Sequence, residues 1–331
     1  MQKLLWIYSM KNMWNKTIIT LAISFSMNVS AVLPSLDDLP NLPNFPSLND
    51  LPSLPSFPSL DDLPKFPNLP IIGDFNPSFL QKSYNQFTDA KPDFERENRM
   101  ISEIEDSVLD GDVEYLSLAD GKEVFSIYME AETEKVKGGV IILHSRGYHA
   151  NWDSVIKPLR VGMTSKGWHS LSVQMPVLDK QATYYDYVPI FPYAHERIEV
   201  AIDFYKQLGI DNIVLITHGC GAHMAMSYLD KYGDGKISAY VGVGMGATDY
   251  KQKVVKRLPL DNMLKPVLDI YGEKDFSGVK RSAEDRWRLM SVANNKKSAQ
   301  KIVKKADHYY KEKGTAEDLI DIVDSWLASL G

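Results

Sequence analysis

Hydrophobic and polar positions along the chain follow two regimes, which change over near residue 93. In the first, Leu, Phe and Pro alternate with short polar pairs in a twelve-residue repeat. Pro34-Ser35-Leu36-Asp37-Asp38-Leu39-Pro40 returns as Pro46-Ser47-Leu48-Asn49-Asp50-Leu51-Pro52 and as Pro58-Ser59-Leu60-Asp61-Asp62-Leu63-Pro64. Proline fixes φ, removes backbone donors and turns its neighbour away from helix, so residues 32–77 are expected to form an extended, polyproline-like spacer. The regularly placed Phe45, Phe57 and Phe66 offer the other reading, anchors for a partner in the cell envelope.

The second regime is globular. Residues 113–118 and 123–129 alternate with period two and flank Ala119-Asp120-Gly121-Lys122, whose Asp-Gly pair suits a hairpin. Six further apolar runs read as strands: 138–144, 168–174, 213–217, 239–245, 266–271 and 299–303. Helical spacing appears at 158–166, 195–208, 281–293, 315–330 and after residue 220, and an acidic surface helix is expected over 95–109. Strands alternating with helices predict an α/β domain over 93–331, a mostly parallel eight-stranded sheet with helices on both faces.

Composition narrows the possibilities. A net charge of −6 gives no basic footprint for nucleic acid. The single cysteine, Cys220, rules out an internal disulfide and a cysteine-based metal site, and no cofactor motif is present. His218 and His223 flank Cys220, but no carboxylate lies at ligand spacing beside them, so no metal is expected. Residues 1–31 have the form of a signal peptide: Lys11 and Lys16, an apolar stretch over 17–27, then Val29-Ser30-Ala31. Export to a periplasm is expected, with membrane association if the segment is retained.

The candidate chemistry begins at residues 213–229. A β-branched strand runs into His218-Gly219-Cys220-Gly221 and then into a helix carrying Ala222, Ala225, Met226 and Leu229. This resembles the nucleophile elbow of the α/β-hydrolases, in which the residues two before and two after the nucleophile are small. Two registers fit. Thr217-His218-Gly219-Cys220-Gly221 puts Gly219 where the nucleophile belongs; His218-Gly219-Cys220-Gly221-Ala222 makes Cys220 the nucleophile and sets a bulky His218 in a slot that favours a small residue.

Other loops match the same scheme. Gly272-Glu273-Lys274-Asp275 resembles the turn whose aspartate orients the catalytic histidine, with Asp249 as a spare candidate. Ala306-Asp307-His308-Tyr309 resembles the histidine loop, and an imidazole there can take and return a proton. Leu143-His144-Ser145-Arg146-Gly147 resembles the loop that supplies one oxyanion-hole N–H, the Cys220 N–H supplying the other. Ser145 reads as a loop hydroxyl rather than a displaced nucleophile. Arg146 is a candidate for an anionic substrate group, and Tyr185 and Tyr187, in an aromatic stretch, are candidates for lining a pocket.

Ile142–Trp152, Gln174–Leu178, His218–Ala225, Gly244–Tyr250 and Ala306–Tyr309 together resemble a bacterial family of exported α/β-hydrolase-like proteins classed as a domain of unknown function. The resemblance implies the fold and export and leaves the reaction open. Two functions fit. One is a hydrolase or acyl transferase acting on an ester or thioester through Cys220, His308 and Asp275, with a small-molecule or acyl-type ligand in its cleft. The other is an inactive binding or scaffold protein of the envelope.

Overall fold

The computed structural model describes residues 90–331; residues 1–31, read as a signal peptide, and residues 32–77, read as a proline-rich spacer, lie outside the described residues. Eight strands form one sheet: β1 (Asp112–Ser117), β2 (Glu123–Met129), β3 (Gly138–Leu143), β4 (Trp168–Val173), β5 (Ile213–His218), β6 (Ala239–Val243), β7 (Val267–Gly272) and β8 (Ala299–Val303). Their order across the sheet is β1-β2-β4-β3-β5-β6-β7-β8. The β1–β2 hairpin is antiparallel and β2 pairs antiparallel with β4. Every other pairing is parallel. The carboxyl ends of six strands therefore share one edge, where loops can converge on a site.

Helices cover both faces because the central strands are apolar on both sides. On β3, Ile141 and Leu143 join Leu215 of β5 in a core shared with α4 (Pro192–Gln207) and α5 (Cys220–Tyr232), including Ile198, Ile202 and Met226. The alternate residues, Val140 and Ile142, join Ile216 and Val241 against α2 (Ile156–Ser165) and α8 (Thr315–Ala328), through Leu159, Met163, Leu319 and Val323. This is the expected architecture.

Three elements differ from the sequence reading. The first helix, α1 (Phe94–Glu105), starts at Asp93, whose Oδ1 accepts from the Arg96 N–H at 2.9 Å. It is not a plain surface helix: Glu97 is buried and receives both Arg197 guanidinium nitrogens from α4, at 2.6 and 3.1 Å. Burial pushes the Glu97 carboxyl up, and Arg197 acts against that. A charge buried with its partner looks like a solvated charge in sequence. The aromatic stretch taken for a loop holds a short helix α3 (Tyr184–Tyr187) and a 3₁₀ turn (Val188–Ile190), started by a Thr183–Asp186 capping box. The helix expected over 281–293 is α7 (Ala283–Val292), and a short helix α6 (Ser277–Arg281), not read from the sequence, precedes it across Ser282.

Candidate active site

The turn between β5 and α5 takes the first register. Gly219 has φ 52° and ψ −117°, a conformation that side chains rarely adopt, and stands between Thr217 and Gly221. A Cβ on Gly221 would come within 2.5 Å of the His144 carbonyl oxygen, so the +2 position must be small for α5 to approach the β3 loop. A Cβ on Gly219 would stand 3.1 Å from His308 Nε2 and 2.6 Å from Ser145 Oγ. The elbow thus keeps the backbone shape of a nucleophile position and carries no side chain there.

The structure brings His308 and Asp275 together. His308 Nδ1 lies 2.8 Å from Asp275 Oδ1, and both residues are buried. The carboxylate is fixed in turn by the N–H of Phe276 (2.7 Å, to Oδ1) and that of Gly272 (3.3 Å, to Oδ2). Because an ionised carboxylate only accepts, His308 carries its proton on Nδ1, and the Nε2 lone pair faces Gly219. Phe276 stacks on the imidazole, ring centres 4.4 Å apart, and Gly244, at the end of β6, leaves room on the other side: a Cβ there would meet His308 Cε1 at 2.7 Å. His218 Nε2 donates to the His308 carbonyl oxygen at 2.9 Å, tying the histidine loop to the elbow. Burial drives the His218 pKa down to about 3, so this ring is a neutral donor.

Cys220 is placed elsewhere. Its thiol is fully buried, set against the main-chain N–H of Arg146 and near Tyr184 and Tyr187, and burial pushes its pKa up to about 12. As the first residue of α5, it belongs to the buried core where that core borders the cleft, and its N–H donates into the site. The reading of Cys220 as a thiolate paired with His308 does not match this arrangement. The Cys220 N–H instead donates to Ser145 Oγ at 3.0 Å.

Ser145 lies two residues beyond the end of β3. Its carbonyl oxygen accepts from His144 Nδ1 at 2.7 Å, while His144 Nε2 accepts from the Met175 N–H at 2.8 Å. Those two bonds fix the tautomer of a buried imidazole whose pKa burial lowers to about 3.

Above these groups lies an open cleft of about 670 Å³. Arg146 lines it and spans its rim, bonding the Ala182 carbonyl at 2.8 Å and Asp249 at 2.6 Å. Asp249 also accepts from the Tyr184 N–H at 2.6 Å, so this spare candidate for the acid serves the rim and not His308. Tyr187 borders the cleft, but its hydroxyl is taken by the N–H groups of Gly147 and Leu178. Tyr185 lies outside the cleft; its hydroxyl accepts from the Lys253 N–H at 2.9 Å. The pocket-lining role read for Tyr185 is therefore corrected. The sequence reading missed Arg96, Met100 and Glu103 of α1 and the stacked pair Tyr148–Trp152. No local motif marks α1 as a cleft wall, because tertiary packing alone brings it there. Among the described residues, no group of three or more His, Cys, Asp or Glu is placed to hold a metal ion.

Strand order, elbow and the Asp–His pair on successive loops define the class: this is an α/β-hydrolase fold. The chain belongs to the family described as protein of unknown function DUF3530, whose model matches residues 80–188 and 193–329. No curated protein matches it. Among solved structures, Est1E from Butyrivibrio proteoclasticus aligns with a TM-score of 0.50 and 15% identity, over 66% of this chain and 98% of that one. Est1E with ferulic acid bound gives 0.51 at 15% identity, over 65% and 98%. A dienelactone hydrolase from Anabaena variabilis gives 0.50 at 13% identity, over 66% and 96%. At these identities the likeness is one of fold.

Proposed function

We propose that the protein is an exported hydrolase or acyl transferase acting on carboxylic esters or thioesters, with His308 as general base and acid and Asp275 as its orienting carboxylate. One observation carries this reading. The Nε2 of a histidine held in one tautomer by a buried carboxylate lies 3.1 Å from the point where an elbow side chain would begin. Keeping a buried carboxylate beside a buried imidazole carries a desolvation cost that a bare scaffold has no need of. Est1E, solved with ferulic acid bound, and the dienelactone hydrolase make ester-type substrates the natural first class to try.

The bare Gly219 favours a second reading, a binding protein of the envelope that uses the cleft for a ligand. A panel of p-nitrophenyl esters and acyl thioesters separates the two. Turnover that falls at least about 100-fold in His308→Ala and in Asp275→Asn, with melting temperature retained, supports the enzyme. No turnover on any substrate, alongside saturable binding of an acyl compound, supports the binder.

A further inference from the structure

We propose that Ser145 is the nucleophile of this site, its hydroxyl having moved from the elbow to the loop after β3; this deepens the hydrolase reading above and rests on it. Ser145 Oγ and His308 Nε2 lie 2.6 and 3.1 Å from one common point, the position a Cβ on residue 219 would take. A serine at 219 would displace the Ser145 hydroxyl from its present position, since that Cβ would stand 2.6 Å from it. The two residues exchange roles: the usual elbow serine is a glycine here, and the small residue usual after β3 is a serine.

The surroundings suit the role. The Cys220 N–H, at the positive end of the thirteen-residue helix α5, donates to Ser145 Oγ and favours negative charge on it. The Ser145 main chain is fixed by His144, which is buried and neutral, so the hydroxyl sits on a rigid strand end. Ser145 borders the cleft beside His308 and Arg146.

The step balances without any added reagent. Ser145 Oγ, turning from the Cys220 N–H toward His308 Nε2, forms a bond to the acyl carbonyl carbon while its proton passes to Nε2. The bond from that carbon to the leaving oxygen or sulfur breaks, and His308 gives the proton to the leaving group. Water then attacks the acyl-Ser145, His308 taking one proton from it. The carbon–Oγ bond breaks, the acid leaves, and the proton returns to Oγ.

A fluorophosphonate probe with peptide mapping tests the assignment on the full chain. The expected result is one label per chain on Ser145, lost in Ser145→Ala and in His308→Ala. In the double variant Ser145→Gly/Gly219→Ser the label should move to position 219. Ser145→Cys, which keeps an acceptor for the Cys220 N–H, should gain a thiol whose alkylation slows at least about tenfold when His308→Ala is added. An unlabelled wild type, or a label elsewhere, overturns the assignment. Ester turnover that survives Ser145→Ala also overturns it and leaves the hydrolase reading standing. A label on Ser145 without turnover of any ester or thioester keeps the nucleophile and removes the substrate class.

Discussion

Ser145 Oγ stands 2.6 Å from where the first side-chain atom of a residue at 219 would be, so any side chain at the elbow must displace the Ser145 hydroxyl. Gly219→Ser alone should therefore destabilise the fold. The new side chain meets Ser145 and must also adopt φ 52°, which together cost roughly 1–3 kcal/mol. Adding Ser145→Gly should recover most of the overpacking part. Chemical denaturation of the two variants checks this, and equal losses in both would mean that the two positions are not coupled.

The Cys220 thiol should be unreactive. With a pKa near 12 and only 2% of its surface exposed, it carries almost no thiolate at pH 8 and should resist alkylation in the native protein while reacting fully once unfolded. Cys220→Ala should cost activity less than about tenfold, because the group that faces the site is the backbone N–H. Rapid alkylation of the native protein at pH 8 would contradict the packing described.

On the proposed mechanism His218 acts as a positioning residue. Its hydrogen bond to the His308 carbonyl is the side-chain link between elbow and histidine loop. His218→Phe, which keeps a ring but removes the donor, should lower kcat about 10- to 100-fold and change KM little, since no substrate contact is lost. His218→Asn, which can still donate, should recover part of the rate. A change confined to KM would place His218 at the substrate instead.

Much of this architecture can be read from residues alone. The eight strands were legible because β-branched runs such as Ile213–Thr217 are too short and too apolar for surface helices. Gly219 at the nucleophile position followed from the bulk of His218 in the competing register. The partnership of Asp275 with His308 was legible from the turns that carry them, whereas that of Asp249 with Arg146 depends on which loops the sheet order makes neighbours. The position of the Ser145 hydroxyl was not legible, because it depends on how closely α5 approaches the β3 loop, as the His144 carbonyl beneath Gly221 shows. The burial of Glu97 depended on Arg197, a hundred residues away.

Stability should fall on mild acidification. His144 and His218 are fully buried with pKa values near 3, whereas in the unfolded chain they titrate near 6.5. Below about pH 6.5 the unfolded state takes up protons that the folded state refuses. Their stabilisation is therefore complete above 6.5 and declines as pH falls toward 3, by roughly 2 kcal/mol per ring at pH 5. Thermal melts between pH 7.5 and 4.5 should show the decline, and His218→Asn should flatten it. A melting temperature constant over that range would contradict the neutral, buried state of both rings.

The most direct test of the Ser145–His308–Asp275 arrangement is the mass of the protein quenched within milliseconds of mixing with p-nitrophenyl acetate. The arrangement described here predicts one acetyl group per chain, mapped to Ser145 and absent in His308→Ala. Rapid p-nitrophenol release with no adduct, or with the acetyl group on Cys220, would contradict it.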